Sequence, residues 1–223
     1  MKEVLSIVFT VVFSYLVGSI NSAITVCKLS GKEDIRKLGS GNAGLTNMLR
    51  VYGKKPALAT LIADLLKGVV AVVICRVVVT YAFDVVFFDN KLFIGYVAGL
   101  AVMLGHIFPV FYGFHGGKGV LITATTLLAI DPLTCLLSVT VFAIVLALSK
   151  YVSLGSICAA IAYPIFTVLT QSWRDISAHW INAGMASIFT VFIIFMHRSN
   201  IKRLLSGTEN KFGSKKKEEN EEE

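Results

Sequence analysis

Seven long apolar blocks, parted by short polar segments, leave this chain few ways to fold. They run over Val4–Val26, Pro56–Thr80, Lys91–Val110, Gly119–Ile130, Leu133–Ser149, Leu154–Thr170 and Ile181–Met196. A membrane-crossing helix needs about 20 such residues, a few less when short or tilted. Lipid offers backbone groups no partners, so a span must satisfy its own, and these blocks are far too long for barrel strands. With 55% hydrophobic residues, the chain is too apolar for a soluble domain. The expectation is an all-α integral membrane protein of about seven transmembrane helices, one domain over residues 1–205. A charged, disordered tail is expected over 206–223, ending in KKKEENEEE. Gly119–Ile130 is too short for a plain crossing; it is either tilted or buried among its neighbours, and five or six spans remain open.

The net charge of +7 does not point to nucleic acid, because the charges sit on alternate loops. With seven spans, one face collects most of the 21 Lys and Arg: those of the Cys27–Lys55 segment, Lys118, Lys150 and those after His197. The positive-inside rule makes that face cytoplasmic, with the N-terminus outside and the C-terminus inside. The four cysteines stand singly without metal-site spacing and read as small buried residues. No cofactor or metal is expected.

Every polar turn that looks chemical falls on the basic face. In Gly39–Arg50, GSGNAGLTNMLR, Ser40, Asn42, Thr46, Asn47 and Arg50 crowd hydroxyls, amides and a guanidinium into one turn. Its glycines permit unusual backbone angles, its N–H groups can converge on an anion, and Arg50 can grip that anion bidentately. A solvated loop with Arg50 capping a helix is the plainer alternative. In Gly105–Val120, Gly116, Gly117 and Gly119 surround Lys118 at the start of a helix, an arrangement suited to anions but not a Walker A loop. Ser153 and Ser156 can cap the next helix or bind a phosphate or hydroxyl. His197 and Asn200, three apart, share a face if the last helix continues, with Arg198 between them and Glu209 beyond; such a histidine is a base, a phosphate donor or an interface residue. Within the second span, Asp64 and Lys67 lie on one face and should pair, either as a prop beneath the site or as a structural ion pair.

Three of these segments offer anion-binding groups, which suits two phosphates better than one. There is no His-x-x-x-x-Asp pair, no Ser/His/Asp set and no metal-ligand cluster. The segments SGNAGLTNMLR (40–50), DLLKG (64–68), GHIFPVF with GGKGV (105–120), YVSLGS (151–156) and HRSNIKRLLSGTENK (197–211) together resemble the bacterial acyl-phosphate:glycerol-3-phosphate acyltransferases, in that family's order and over nearly the whole chain. The resemblance implies a seven-helix enzyme of the bacterial plasma (inner) membrane, its site at the cytoplasmic face. It implies transfer of a fatty acyl group from acyl phosphate to the 1-hydroxyl of glycerol 3-phosphate, giving lysophosphatidate and phosphate. Its partners would be these two substrates, membrane lipid and a soluble acyl-phosphate synthase. Carried over residue by residue, it implies catalytic roles for Ser40, Lys118, His197 and Asn200. Substrate binding falls to Asn42, Thr46, Arg50, Gly116, Gly117, Ser153 and Ser156. Three departures stand out: Ala43 replaces a usual proline, Gly155 a frequent serine, and Val70–Val73 lacks a proline. The rival class is a transporter or channel for small phosphorylated anions, against which speak the gathering of motifs on one face and the lack of a repeat.

Overall fold

The computed structural model describes residues 1–213, and among the described residues it is helical with no strand. In chain order the helices are α1 (Lys2–Ser19), α2 (Ser22–Leu29), α3 (Leu45–Tyr52), α4 (Lys54–Val77), α5 (Phe93–Ile107), α6 (Val120–Ile130), α7 (Pro132–Ser149), α8 (Val152–Trp173), α9 (His179–Met196) and α10 (Arg198–Leu205). Six are long and apolar enough to cross a membrane: α1, α4 with the π-turn that prolongs it to Ala82, α5 with the turn that follows it, α7, α8 and α9. With the shorter α6 they make the seven-helix, all-α membrane architecture read from the sequence.

The helices are inverted relative to those of a soluble protein. On α1, Ser6, Thr10, Ser14 and Gly18 are buried at four-residue spacing while Val4, Val8, Val12 and Leu16 face outward. Ser6 and Thr10 return their hydroxyls to the carbonyls of Glu3 and Ser6, at 2.8 and 2.7 Å, so no donor is stranded. Small residues let backbones meet. A side chain at Gly18 would strike the Val102 backbone of α5, and one at Gly105 the backbone of Tyr15 and Ser19. The first span is not one helix. Asn21 stops α1 and caps α2, its side chain accepting from Ile24 N at 3.1 Å, as Asn does at helix starts. The break frees the Ile20 carbonyl, which accepts from Lys67.

α6 settles the ambiguous fourth block. It is buried among α4, α5 and α7, with Thr125 against Gly68 of α4. At 1.5 Å per residue it rises about 16 Å, against about 27 Å for α7, with which it shares the Asp131 turn. The start of α6 therefore lies inside the bundle, not at its face. The chain reaches that depth by folding back along the end of α5, Gly116 N donating to Ile107 O and Gly117 N to His106 O, each at 3.1 Å.

Part of the expected tail is built into the body. Glu209 bonds to Ser153, Asn200 and Arg203, and Phe212 N donates to Lys150 O at 2.7 Å. These contacts lie beyond the 205/206 boundary at which the body was expected to end. The remainder of that expectation, 214–223, lies outside the described residues.

Candidate active site

The loop before α3 is held by Asn47. Its amide oxygen accepts from Ser40 N at 2.9 Å, and its nitrogen donates to the carbonyls of Ile35 and Leu38 at 3.2 and 2.9 Å. Buried Met48 and Ala43 anchor the apolar side, while Ser40, Asn42, Thr46 and Arg50 face a cavity of about 390 Å³. Gly119, at φ +81°, turns the glycine-rich loop into α6. That conformation suits glycine, and it leaves the first amides of α6 open towards the same cavity.

Lys118, Ser153, Ser156, His197 and Asn200 line the cavity as well. Nine of the eleven expected site residues thus converge from four segments of the chain. Gly116 and Gly117 do not. Their amides are spent on α5 carbonyls, and the amides left without a backbone partner belong to Gly119 and the first turn of α6. The serines of α8 are not caps either. Ser153 Oγ donates to Glu209 Oε1 at 2.9 Å and Ser156 Oγ to Val152 O at 2.8 Å, whereas the N-cap, Tyr151, has no side-chain bond. Arg198 turns away, over the ring of Phe195.

Glu209 is the hub that sequence reasoning did not assign to the site. Asn200 Nδ2 donates to its Oε1 at 2.7 Å and Arg203 Nε to its Oε2 at 2.7 Å. Burial opposes its charge, but the bonds from Asn200, Arg203 and Ser153 outweigh that and hold the carboxyl below its usual range. Asn200, steadied in this way, turns its oxygen to Lys118 Nζ. The Lys118 ammonium is lowered to about 8, first by burial and then by the neighbouring charge of Arg203, so at neutral pH it is still charged. His197 is lowered to about 4, chiefly by burial. Its Nδ1 lies 2.8 Å from the Ile193 carbonyl, which can only accept. Neutral His197 therefore carries its proton on Nδ1 and has a lone pair at Nε2. Ser40 Oγ makes no hydrogen bond to a base among the described residues.

The cavity has two characters. Its polar end holds Arg50, Lys118 and Arg203 against Glu209; its other limb runs between α6, α7 and α8 past Val139, Phe142 and Tyr163. An anion joined to a long apolar chain fits both.

The family model described as "Glycerol-3-phosphate acyltransferase" matches residues 8–207. The chain belongs to the glycerol-3-phosphate acyltransferase family. Among the family's curated relatives, the glycerol-3-phosphate acyltransferase of Clostridioides difficile (strain 630) is 41% identical over 216 residues, covering 96% of this chain and 99% of its own. That of Cupriavidus pinatubonensis (strain JMP 134 / LMG 1197) is 43% identical over 205 residues, covering 92% and 95%. The crystal structure of PlsY, an integral membrane glycerol 3-phosphate acyltransferase, in its glycerol 3-phosphate form superposes with a TM-score of 0.78 at 37% identity, covering 93% of this chain and 96% of that one. Its lysophosphatidic acid form gives a TM-score of 0.77 at 36% identity.

Gly155 has a packing reason. A side chain there would press on the Phe142 carbonyl and ring across the α7–α8 contact.

Proposed function

We propose that this cavity transfers a fatty acyl group from acyl phosphate to the 1-hydroxyl of glycerol 3-phosphate. The observation that carries the reading is the coupling of surplus positive charge at the start of α6 to an apolar limb between helices. The chain would thread the limb, while Arg50, Lys118 and the first amides of α6 hold phosphate. Thr46, Asn42 and Ser153 supply further polar contacts, and Ser156 lines the wall between the two ends. The relatives' names, and the glycerol 3-phosphate and lysophosphatidic acid forms of the similar structure, support this over a transporter.

The glycerol oxygen attacks the carbonyl carbon, the carbonyl–phosphate C–O bond breaks, and phosphate leaves with the bonding pair. The neutral His197 orients the attacking hydroxyl by accepting its hydrogen at Nε2, and the departing phosphate, the stronger base, takes the proton. Lys118, steadied by Asn200, meets the charge growing on the leaving group. Transfer is direct: Ser40 has no base to activate it among the described residues and serves as a ligand, so an acyl adduct trapped on Ser40 would exclude this route. Alignment of the two substrates in one cavity can contribute about 7–11 kcal/mol in favourable cases.

The basic face, with Arg50, Lys118 and the segment after His197, is assigned to the cytoplasm of a bacterial plasma membrane, with the N-terminus outside. A soluble acyl-phosphate synthase would supply the donor there. Purified protein in detergent, given acyl phosphate and glycerol 3-phosphate, should form lysophosphatidate and release phosphate; formation of neither overturns the reading. In sealed vesicles, inside-out preparations should turn over added glycerol 3-phosphate and right-side-out ones should not. The opposite result reverses the orientation.

A further inference from the structure

Where the 42–46 loop meets the glycine-rich loop, the cavity wall carries a polar cluster that the reaction above does not use. Lys67 Nζ lies 2.9 Å from Asp64 Oδ1, 3.0 Å from Ile20 O and 3.2 Å from His106 Nδ1. Ser22 Oγ donates to the same carboxylate oxygen at 2.6 Å. An ammonium has three N–H bonds, and here it has three neighbours to receive them. The carboxylate and the carbonyl can only accept. The third N–H therefore meets a lone pair on His106 Nδ1, and the neutral ring must carry its proton on Nε2.

That Nε2–H has no acceptor among the described residues. Yet His106 is only 4% exposed and lines the cavity together with Asp64. The Nε2 edge of the ring lies where the two loops meet, in the space that Gly117 leaves by having no side chain: one there would collide with Nε2 and with the Ala43 carbonyl. A donor left without a protein partner at the wall of the cavity is free for a ligand oxygen to take up. His197 has the opposite tautomer, so the cavity has one histidine that donates and one that accepts.

We propose that His106 is a further substrate-contacting residue, its Nε2–H donating to an oxygen of a phosphorylated substrate, with Asp64 and Lys67 as the positioning residues that fix this tautomer. The identity of that substrate rests on the acyl-transfer reading; the presence of the donor does not.

The chain has 4 histidines, so ¹⁵N-imidazole spectra of the full-length protein in detergent can be assigned by single substitutions. His106 should be protonated on Nε2 and bare on Nδ1. Inorganic phosphate should shift the Nε2 signal, and Lys67→Met should mix the two tautomers. In turnover, His106→Leu should cost about 10- to 100-fold in kcat/KM, the range for losing a hydrogen bond to a charged oxygen. His106→Gln, which retains an N–H donor, should recover most of it. The substrate whose KM rises identifies the acceptor: glycerol 3-phosphate or acyl phosphate. A wild-type ring protonated on Nδ1, or a phosphate titration that leaves the Nε2 signal unmoved, overturns the proposal, as does a folded His106→Leu with both KM values and kcat intact. If the wild-type protein forms no lysophosphatidate, the acyl-transfer reading fails, and the spectra still decide whether the donor exists.

Discussion

The two ends of α6 carry charge in opposite ways. At its C-terminal end, where a helix is partly negative, Arg76 Nη1 donates to Ala129 O at 2.8 Å. Beside it, Asp131 accepts from Arg174, Gln171 and Thr134, and Gln171 is bonded in turn to Tyr96 and Asn182. Arg76 meets the partly negative end of α6, while Asp131 caps the partly positive start of α7 and is paired with Arg174. At the N-terminal end a partly positive helix start meets Lys118, with Arg50 and Arg203 near and Glu209 as their counterweight. There dipole and side chains repel, with Glu209 offsetting only part of the positive charge. One end is complete as folded; the other, on the proposed reading, is completed by the substrate's anion. Buried polar groups alone would not have separated structure from function in this chain, whereas the sign of the mismatch does.

The strongest way to test the contrast is Lys118→Ala. Losing a charge aimed at the leaving group should lower kcat/KM by about 10²–10³-fold, while the thermal midpoint of the unliganded protein holds or rises. A fall in that midpoint would make the two ends alike. Asp131→Ala should do the reverse. It strands Gln171 and the partly exposed Arg174, for a loss of about 2 kcal/mol, less than for a fully buried pair. It should show as a lower thermal midpoint, with the folded enzyme's kcat/KM nearly unchanged. The smallest effect concerns pH. Lys118 is charged below about 8 and loses that charge as pH rises through it, so KM for phosphorylated substrate should climb several-fold between pH 7 and 9. Lys118→Arg should remove that limb, since a guanidinium stays charged. His197, lowered to about 4, should add no acid limb above pH 5.

The bundle was legible because lipid imposes one rule on every span, and block lengths report it directly. Less legible were the places where the chain departs from that rule. Asn21 interrupts the first block with a single polar residue, a signal no stronger than that of many tolerated inside spans. Depth was hidden: nothing in GHIFPVFYGFHGGKGV says that it folds back along α5, and that fold consumes the amides of Gly116 and Gly117 that looked free. Charge and hydroxyl content did mark Arg50, Lys118, Ser153, His197 and Asn200. Glu209 was missed because it sits in a polar segment beside a low-complexity run, and only tertiary contact shows that it ties Asn200, Arg203 and Ser153 together. His106 read as the end of a span; the donor proposed at its Nε2 depends on Lys67, 39 residues earlier in the chain.

The brevity of α6 has one more consequence. On the proposed reading, a transfer point about two turns short of the far end of α7 puts the new ester bond inside the bundle, not at its face. A product made there has its tail already in the apolar limb past Val139, Phe142 and Tyr163, and it need not cross water to reach lipid. The same recess shelters a hydrolysable donor from solvent while it waits for an acceptor. Lengthening the helix to a full crossing would lift the reaction to the surface and forfeit both.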